Sequence, residues 1–543
     1  MDIVINRSLS FMTRNNTMFD PHTKPHYDVT SGQITFFVWW VAFAVVYLLR
    51  KLDISPKIIS QFTEKHIKSD EDALTEVKSG IEKIVQISDR TESDIGHENK
   101  HGETQTNKPP EKTFSKVIPP PSLDEVLQNV LIFGGILIYF FLCDYRKIFP
   151  MLERVYDRDE FLFLVFVLFL VACAFTLRPT SEKILNRAQT EEWKGWMQVM
   201  FVWYHVFAAK EWYNWIRVYI AAYVWMTGFG NFSFFWVRKD FSLYRFLKMQ
   251  FRLNFLVTCV CVVTGNEYML YYICAMHSYW FISVYLFMGV LRSWNTDSKK
   301  MAVKFLAYFI FNFVIFDISV VADTIFKPFS FLLGYTDPNF GVIHEWTFRA
   351  GLDHWACFFG MLCAYNYPHF EKFLTDLEKS ENYRKAILTK VVLIAGSIIA
   401  LVVWYVLVMG KEKHAYNALH PYTSMIPIAS FIILRNSFPI LRKYYIHLFA
   451  FLGKITLETY LSQLHIYLQS NAKHLIGYLP NHHFLNFAFA TIIYLLISHK
   501  LFDITTILSA FLIPNDTKRA AKHAVVIFLA FVVTYACAVA AGF

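Results

Sequence analysis

A chain of 543 residues that is 55% hydrophobic and 18% aromatic, with positive mean hydropathy, is too apolar for a soluble domain of that size. Its formal charge of +9 is spread between apolar runs rather than gathered in one patch, which argues against nucleic acid and makes the Lys and Arg residues topology signals. The eight cysteines sit inside apolar runs, with no CxxC and no His at zinc spacing, so they read as small buried residues without a metal or redox role.

Polar residues 1–32 precede a first span at 33–49 that closes on Arg50 and Lys51; the late start and the lack of a small-residue cleavage site speak against a cleaved signal peptide. Residues 50–124 are highly charged, end on IPPPS, and are expected to be a disordered loop. Within it DIGH, at 94–97, matches the DxxH of lumenal esterase-like domains, but no GDS nucleophile motif precedes it and it reads as chance. From 125 to 543 apolar runs recur near 126–143, 161–177, 194–210, 215–237, 252–264, 267–291, 302–323, 346–366, 387–409, 424–440, 445–469, 483–499 and 523–541. With the first span they predict an all-α, polytopic membrane bundle of about 14 spans (12–16) surrounded by lipid. Residues 501–513 are too short and polar to cross and are expected in the interface.

Excess Lys and Arg lie in 238–252, 292–300, 383–390, 441–443 and 517–522, alternating with basic-poor connections near 265, 325–345 and 470–482. The positive-inside rule puts the first set in the cytosol, hence the N-terminus in the lumen and the 50–124 loop in the cytosol. Sequons at Asn6 and Asn15 agree with that orientation.

Ionisable groups inside spans are costly and mark candidate sites. In EEWKGWMQVMFVWYH (191–205), Lys194 and His205 are eleven residues apart, a rise of roughly 16 Å, which places Lys194 at the cytosolic rim and His205 near mid-membrane. His205 either accepts a proton or an acyl group, or merely hydrogen-bonds a neighbouring helix. Arg238, Arg245 and Arg252 follow at seven-residue steps, with Lys239 and Lys248 between them; on one helix they would share a face suited to phosphates, or simply anchor the chain at the headgroups. In HEWTFRAGLDHW, His344, Glu345, Arg349 and Asp353 crowd the lumenal mouth of a span, where Glu345–Arg349 or Arg349–Asp353 have ion-pair spacing. This is an acceptor pocket or a structural network. In LGKITLETYLSQLHIYL (452–468), Lys454 can pair with Glu458, and Glu458 shares a face with His465; Tyr460 and, elsewhere, His277 could line the same interior.

The residues themselves carry a resemblance. LNRAQTEEWKGWMQVMFVWYH, RVYIAAYVWMTGFGNFSFFWVRKDFSLYRFLKMQFRLNFL and NEYMLYYICAMH, then FLLGYTD, HEWTFRAGLD, HPYTSMIPI, LRNS and LGKITLETYLSQLHI, closely resemble in order the ten-span acyltransferase domain of plant reduced wall acetylation proteins, fungal capsule O-acetylation proteins and the animal sialic acid O-acetyltransferase. The match covers roughly 120–520. More distantly the chain is similar to acyltransferase-type-3 proteins, in which an arginine precedes a histidine by eleven positions; Lys194 and His205 keep that interval with lysine in the basic place.

The resemblance implies an O-acetyltransferase of the Golgi membrane that uses cytosolic acetyl-CoA, with no metal, to acetylate a lumenal cell-wall or capsule polysaccharide. It implies His205 as the catalytic or relay residue, with Lys194, Glu192, Glu458 and His465 supporting it. Arg238, Lys239, Arg245 and Arg252 would hold the CoA phosphates, and His277, His344, Glu345, Arg349, Asp353 and Tyr460 would meet the acceptor. The SGNH-like lumenal domain of the fungal and animal proteins is not found ahead of the first span, which leaves a rival reading. In it the bundle transports acetyl-CoA, or another acetyl donor, to a separate lumenal glycan O-acetyltransferase.

Overall fold

A computed structural model of the chain describes residues 28–52, 121–336 and 340–542. The sequons, most of the charged loop and the DIGH tetrapeptide lie outside the described residues. The helices are α1 (Ser31–Lys51), α2 (Leu123–Phe140, continued by a π-helical turn Phe141–Tyr145), α3 (Arg158–Thr176), α4 (Arg187–Val206), α5 (Tyr213–Arg238), α6 (Leu243–Thr264), α7 (Tyr272–Gly289), α8 (Ser298–Asn312), α9 (Ser319–Phe326), α10 (Ser330–Leu333), α11 (His344–Glu378), α12 (Tyr383–Trp404), α13 (Lys413–Thr423), α14 (Met425–Asn436), α15 (Pro439–Lys443), α16 (His447–Lys454), α17 (Thr456–Ile466), α18 (His483–Leu512) and α19 (Thr517–Ala540).

Two compact units emerge. Val38–Leu131 forms one, in which Arg50 Nε meets Asp124 Oδ1 at 2.7 Å and Trp40 Nε1 donates to the Leu131 carbonyl. The remaining residues form the other, which contains everything discussed below.

Local chemistry sets the helix ends. Asn186 caps α4 by accepting from Gln189 N at 2.9 Å, Asp157 caps α3 and Ser242 caps α6, each satisfying an amide that the first turn leaves without a partner. At Lys239 the backbone turns left-handed (φ 52°) and α5 stops, so Arg238 lies on α5 while Arg245 and Arg252 lie on α6. The seven-residue arginine face expected over 238–252 is therefore broken by a loop. A second break, at Ile455, divides the expected 445–469 span into α16 and α17 and separates Lys454 from Glu458. In the opposite sense, 501–513 is no separate interfacial segment, because all but its last residue continue α18.

By length and apolarity, eight helices among the described residues suit a membrane crossing, or nine if a pair bent by 93° (Ser298–Asp317 and Val320–Leu333) is one span. The helices that pass are largely peripheral, and their outward faces expose Phe163, Phe166, Val392, Val406 and Phe528, as lipid contact requires. Helices α4, α5 and α11, which carry polar residues, and α17, which is only 11 residues long, are not among those that pass, and these are the ones packed inside.

Two glycine crossings draw the inner helices together. On α4 a Cβ at Gly195 would lie 1.8 Å from the Phe449 carbonyl of α16, and one at Gly453 would lie 1.9 Å from the Glu191 carbonyl. Between α5 and α11, Gly228 faces Cys357 O (2.3 Å) and Gly360 faces Trp225 O (2.2 Å). Only a residue without Cβ allows backbones this near, the small-residue packing that associates helices in lipid. Two short antiparallel sheets fasten the ends: β1 (Met151–Leu152), β5 (His474–Ile476) and β4 (Leu468–Gln469) in that order, and β2 (Leu177–Pro179) with β3 (Tyr444–Ile446).

Candidate active site

Five histidines on or beside the inner helices differ in what their rings do. His354 Nδ1 meets Gly351 O (2.6 Å) and its Nε2 meets Asp317 Oδ2 (3.2 Å). His420 lies between Tyr416 OH (2.9 Å) and Asp353 Oδ1 (3.4 Å). His465 lies between Asp144 Oδ2 (3.1 Å) and Tyr271 OH (2.7 Å). Both nitrogens of each are engaged, so these rings brace helices and have no lone pair or proton to offer a ligand.

The other two are open. Among the described residues neither ring nitrogen of His205 has a hydrogen-bond partner; the half-buried ring is held edge-on by Phe201 (4.8 Å) and Tyr204 (5.0 Å). His277 on α7 uses only Nδ1, 2.7 Å from Thr227 Oγ1 on α5, and it too is half-buried. The guanidinium groups of Arg154 and Arg349 are near enough to act on His205, and Lys194 and Asp353 on His277.

His205 occupies the last turn of α4, because the chain leaves the helix at Phe207. Arg154 NH1 donates to its carbonyl (3.2 Å) while Arg154 Nε donates to Lys473 O (3.1 Å), a cation placed where a helix C-terminus favours one. Lys194, toward the other end, pairs with Glu191 (2.6 Å), and its carbonyl accepts from Tyr223 OH (2.5 Å). Glu192 does not orient a histidine: it accepts from Ile446 N (2.7 Å) in β3 and contacts Arg435 (3.4 Å), tying α4 to the second sheet.

The other expected residues divide in the same way. Glu458 is fully buried and holds Arg252 by both oxygens, with Thr505 Oγ1 of α18 donating to Glu458 Oε1 (3.2 Å) and accepting from Arg252 (3.1 Å). Its partner is Arg252 of α6 rather than Lys454, and the pair leaves the Arg252 charge largely neutralised. Arg238 and Lys239 are exposed, and Arg245 stacks on Phe234 (4.0 Å) with an unpartnered Nε. Of the two ion pairs spaced for α11, Glu345–Arg349 forms (2.7 Å), and the Arg349 guanidinium covers the Tyr272 ring at 4.5 Å. Asp353 turns instead to Arg217 of α5 (2.7 Å) and to His420. His344 stacks on Phe340 (4.3 Å), and Tyr460 is buried with its ring 5.9 Å from that of Phe201.

Sequence reasoning passed over Arg217, His420, Asp144, Tyr271 and Thr227. Arg217 was signalled, since it interrupts the apolar run NWIRVYIAAYVW, where a charge needs a buried partner. Nothing local marks Thr227 or Tyr271. Among the described residues no group of three or more His, Cys, Asp or Glu could hold a metal.

Among the described residues the inner helices thus bring together two imidazoles with an open nitrogen, aromatic walls, and cations of which Arg217, Arg349 and Lys194 are held by carboxylates, an arrangement suited to acid–base or acyl chemistry on a polarised carbonyl. Comparison with known proteins agrees in class: residues 36–525 match the 10 TM acyl transferase domain found in Cas1p. The chain belongs to this family. It is also 32% identical over 410 residues to the zebrafish (Danio rerio) N-acetylneuraminate (7)9-O-acetyltransferase, covering 72% of this chain and 51% of the relative, so the chain spans about half the length of the curated relative it matches. No solved structure matches.

Proposed function

We propose that this chain is a membrane O-acetyltransferase, or the membrane component of one, which moves acetyl from cytosolic acetyl-CoA to hydroxyls of a Golgi-lumenal polysaccharide. The observation that carries this reading is the pair of imidazoles with an open nitrogen, His205 and His277, on helices whose neighbours His354, His420 and His465 have both ring nitrogens engaged. Acyl transfer needs a group that receives a proton or an acyl, and open nitrogens supply it. Membership of an acyltransferase family and likeness to a glycan O-acetyltransferase point to the same chemistry.

In this reading Arg238, Lys239 and Arg245 meet the donor phosphates at the cytosolic mouth, where none is consumed by a carboxylate as Arg252 is. Lys194 stands at the same entrance. His205 works on the acetyl group, with Arg349 and Arg154 beside it to stabilise developing negative charge. His344, Glu345 and Tyr272 line the approach of the acceptor from the lumen, while Glu458, His465 and Asp353 hold the helices that carry the site.

The test is reconstitution in liposomes, with acetyl-labelled acetyl-CoA outside and an acetylatable oligosaccharide inside. Label on the acceptor, or on a histidine of the protein, is expected. Intact acetyl-CoA accumulating inside, with no labelled acceptor, would replace the transferase by a carrier that feeds a separate lumenal transferase.

A further inference from the structure

We infer that His277 is the general base toward the acceptor hydroxyl, acting through Nε2, and that Thr227 is the residue that positions it. The inference rests on the acetyl-transfer reading above and assigns a role within it.

The argument is one of proton accounting. Thr227 has a single hydroxyl proton and makes two contacts, one to the carbonyl of Tyr223 a turn earlier (3.1 Å) and one to His277 Nδ1 (2.7 Å). A carbonyl can only accept, and we assign the hydroxyl proton to Tyr223 O. The contact to His277 then holds a proton only if Nδ1–H donates to Thr227 Oγ1. Under that assignment Nδ1 carries the hydrogen and Nε2 carries the lone pair. Nε2 has no partner among the described residues, and His277 is half-buried rather than sealed in the core. Lys194 on α4 and Asp353 on α11 are the charged groups that act on the ring.

His205 lacks such a device. Among the described residues its ring nitrogens have no partner, whereas His277 Nδ1 is engaged by a neighbouring helix. Next to Thr227 lies Gly228, one of the glycines that brings α5 against α11, so the positioning hydroxyl is itself on a rigid crossing.

The step balances. The acceptor oxygen bonds to the carbonyl carbon of the donor thioester as its proton passes to His277 Nε2. The carbon–sulfur bond then breaks, and the leaving thiolate takes that proton, giving acetyl ester and free thiol and restoring His277. No oxidant or metal enters.

The test uses the full chain in liposomes with acetyl-CoA and an oligosaccharide acceptor. His277→Ala is expected to lower kcat by about 100-fold or more. Thr227→Val, which keeps shape but cannot accept the Nδ1 proton, is expected to lower kcat about tenfold with KM for the donor unchanged, and Thr227→Ser to restore it. If His277→Ala fails to fold, the Val and Ser pair decides. Wild-type kcat in Thr227→Val, or a loss that Thr227→Ser shares equally, overturns the inference while the transferase reading stands. A wild-type protein that transfers no acetyl overturns both.

Discussion

The α5–α11 crossing makes a severe demand of single atoms. Gly360→Ala would place a methyl 2.2 Å from Trp225 O and 2.9 Å from Phe229 N, both backbone atoms that cannot rotate away. Ordinary contact begins near 3.4 Å, so α11 would have to retreat from α5 by about 1.2 Å. Two turns along the same helices is the buried Asp353–Arg217 pair at 2.7 Å, and a retreat of that size would stretch it out of hydrogen-bond range. Overpacking costs roughly 1–3 kcal/mol and a broken buried pair roughly 3–5 kcal/mol, so a loss of about 3 kcal/mol or more is expected. Gly351, on the same helix, has nothing within 4 Å of its would-be Cβ, and Gly351→Ala should be neutral or stabilise by up to about 1 kcal/mol through helix propensity. The assay is thermal unfolding in detergent, followed by tryptophan fluorescence, of wild type and both variants. Equal melting of Gly360→Ala and Gly351→Ala would show that the crossing is not held by backbone contact and refute the reasoning.

Other consequences can be checked in the same preparations. His205→Ala should abolish acetyl transfer while the protein melts and localises as wild type; undiminished acetate on the acceptor would remove His205 from the reaction. Glu458→Gln alone should cost about 3 kcal/mol by stranding Arg252, and the double variant Arg252→Met/Glu458→Met should recover most of it, as replaced buried pairs do; equal melting of single and double variants would contradict this. Arg154→Gln should lower stability by only about 1 kcal/mol, because one charge-assisted cap is lost, yet reduce acetyl transfer by loosening the turn that holds His205; activity equal to wild type would show that the cap is not needed for function.

Much of the architecture was legible in the chain. Runs predicted at 161–177 and 387–409 coincide with α3 and with α12 and the turn that continues it, because apolar length is a local property that a bilayer reads directly. Breaks were less legible. Lys239 and Ile455 interrupt patterns that continue in sequence, and spacing arguments that crossed them, the arginine face and the Lys454–Glu458 pair, failed for that reason. Within the single helix α11 spacing was realised once, in Glu345–Arg349, while Asp353, equally spaced from Arg349, was taken by Arg217 of another helix.

The sequence by itself determined that the chain is a helical membrane protein of an acyltransferase family and that its interior carries histidines, carboxylates and arginines. It also placed Lys194 and His205 on a single helix, since eleven residues fix their distance along the axis. Tertiary structure alone decided which of those groups are free. Each saturated ring has at least one partner from elsewhere in the chain: Asp144 is 321 residues from His465, Asp353 is 67 from His420 and Asp317 is 37 from His354. The single ring contact of His277 was chosen the same way, by Thr227, 50 residues distant. Hydropathy is summed along a segment, whereas a hydrogen bond is made with whatever packing brings within 3 Å, and only the second distinguishes a bracing histidine from one that can take a proton.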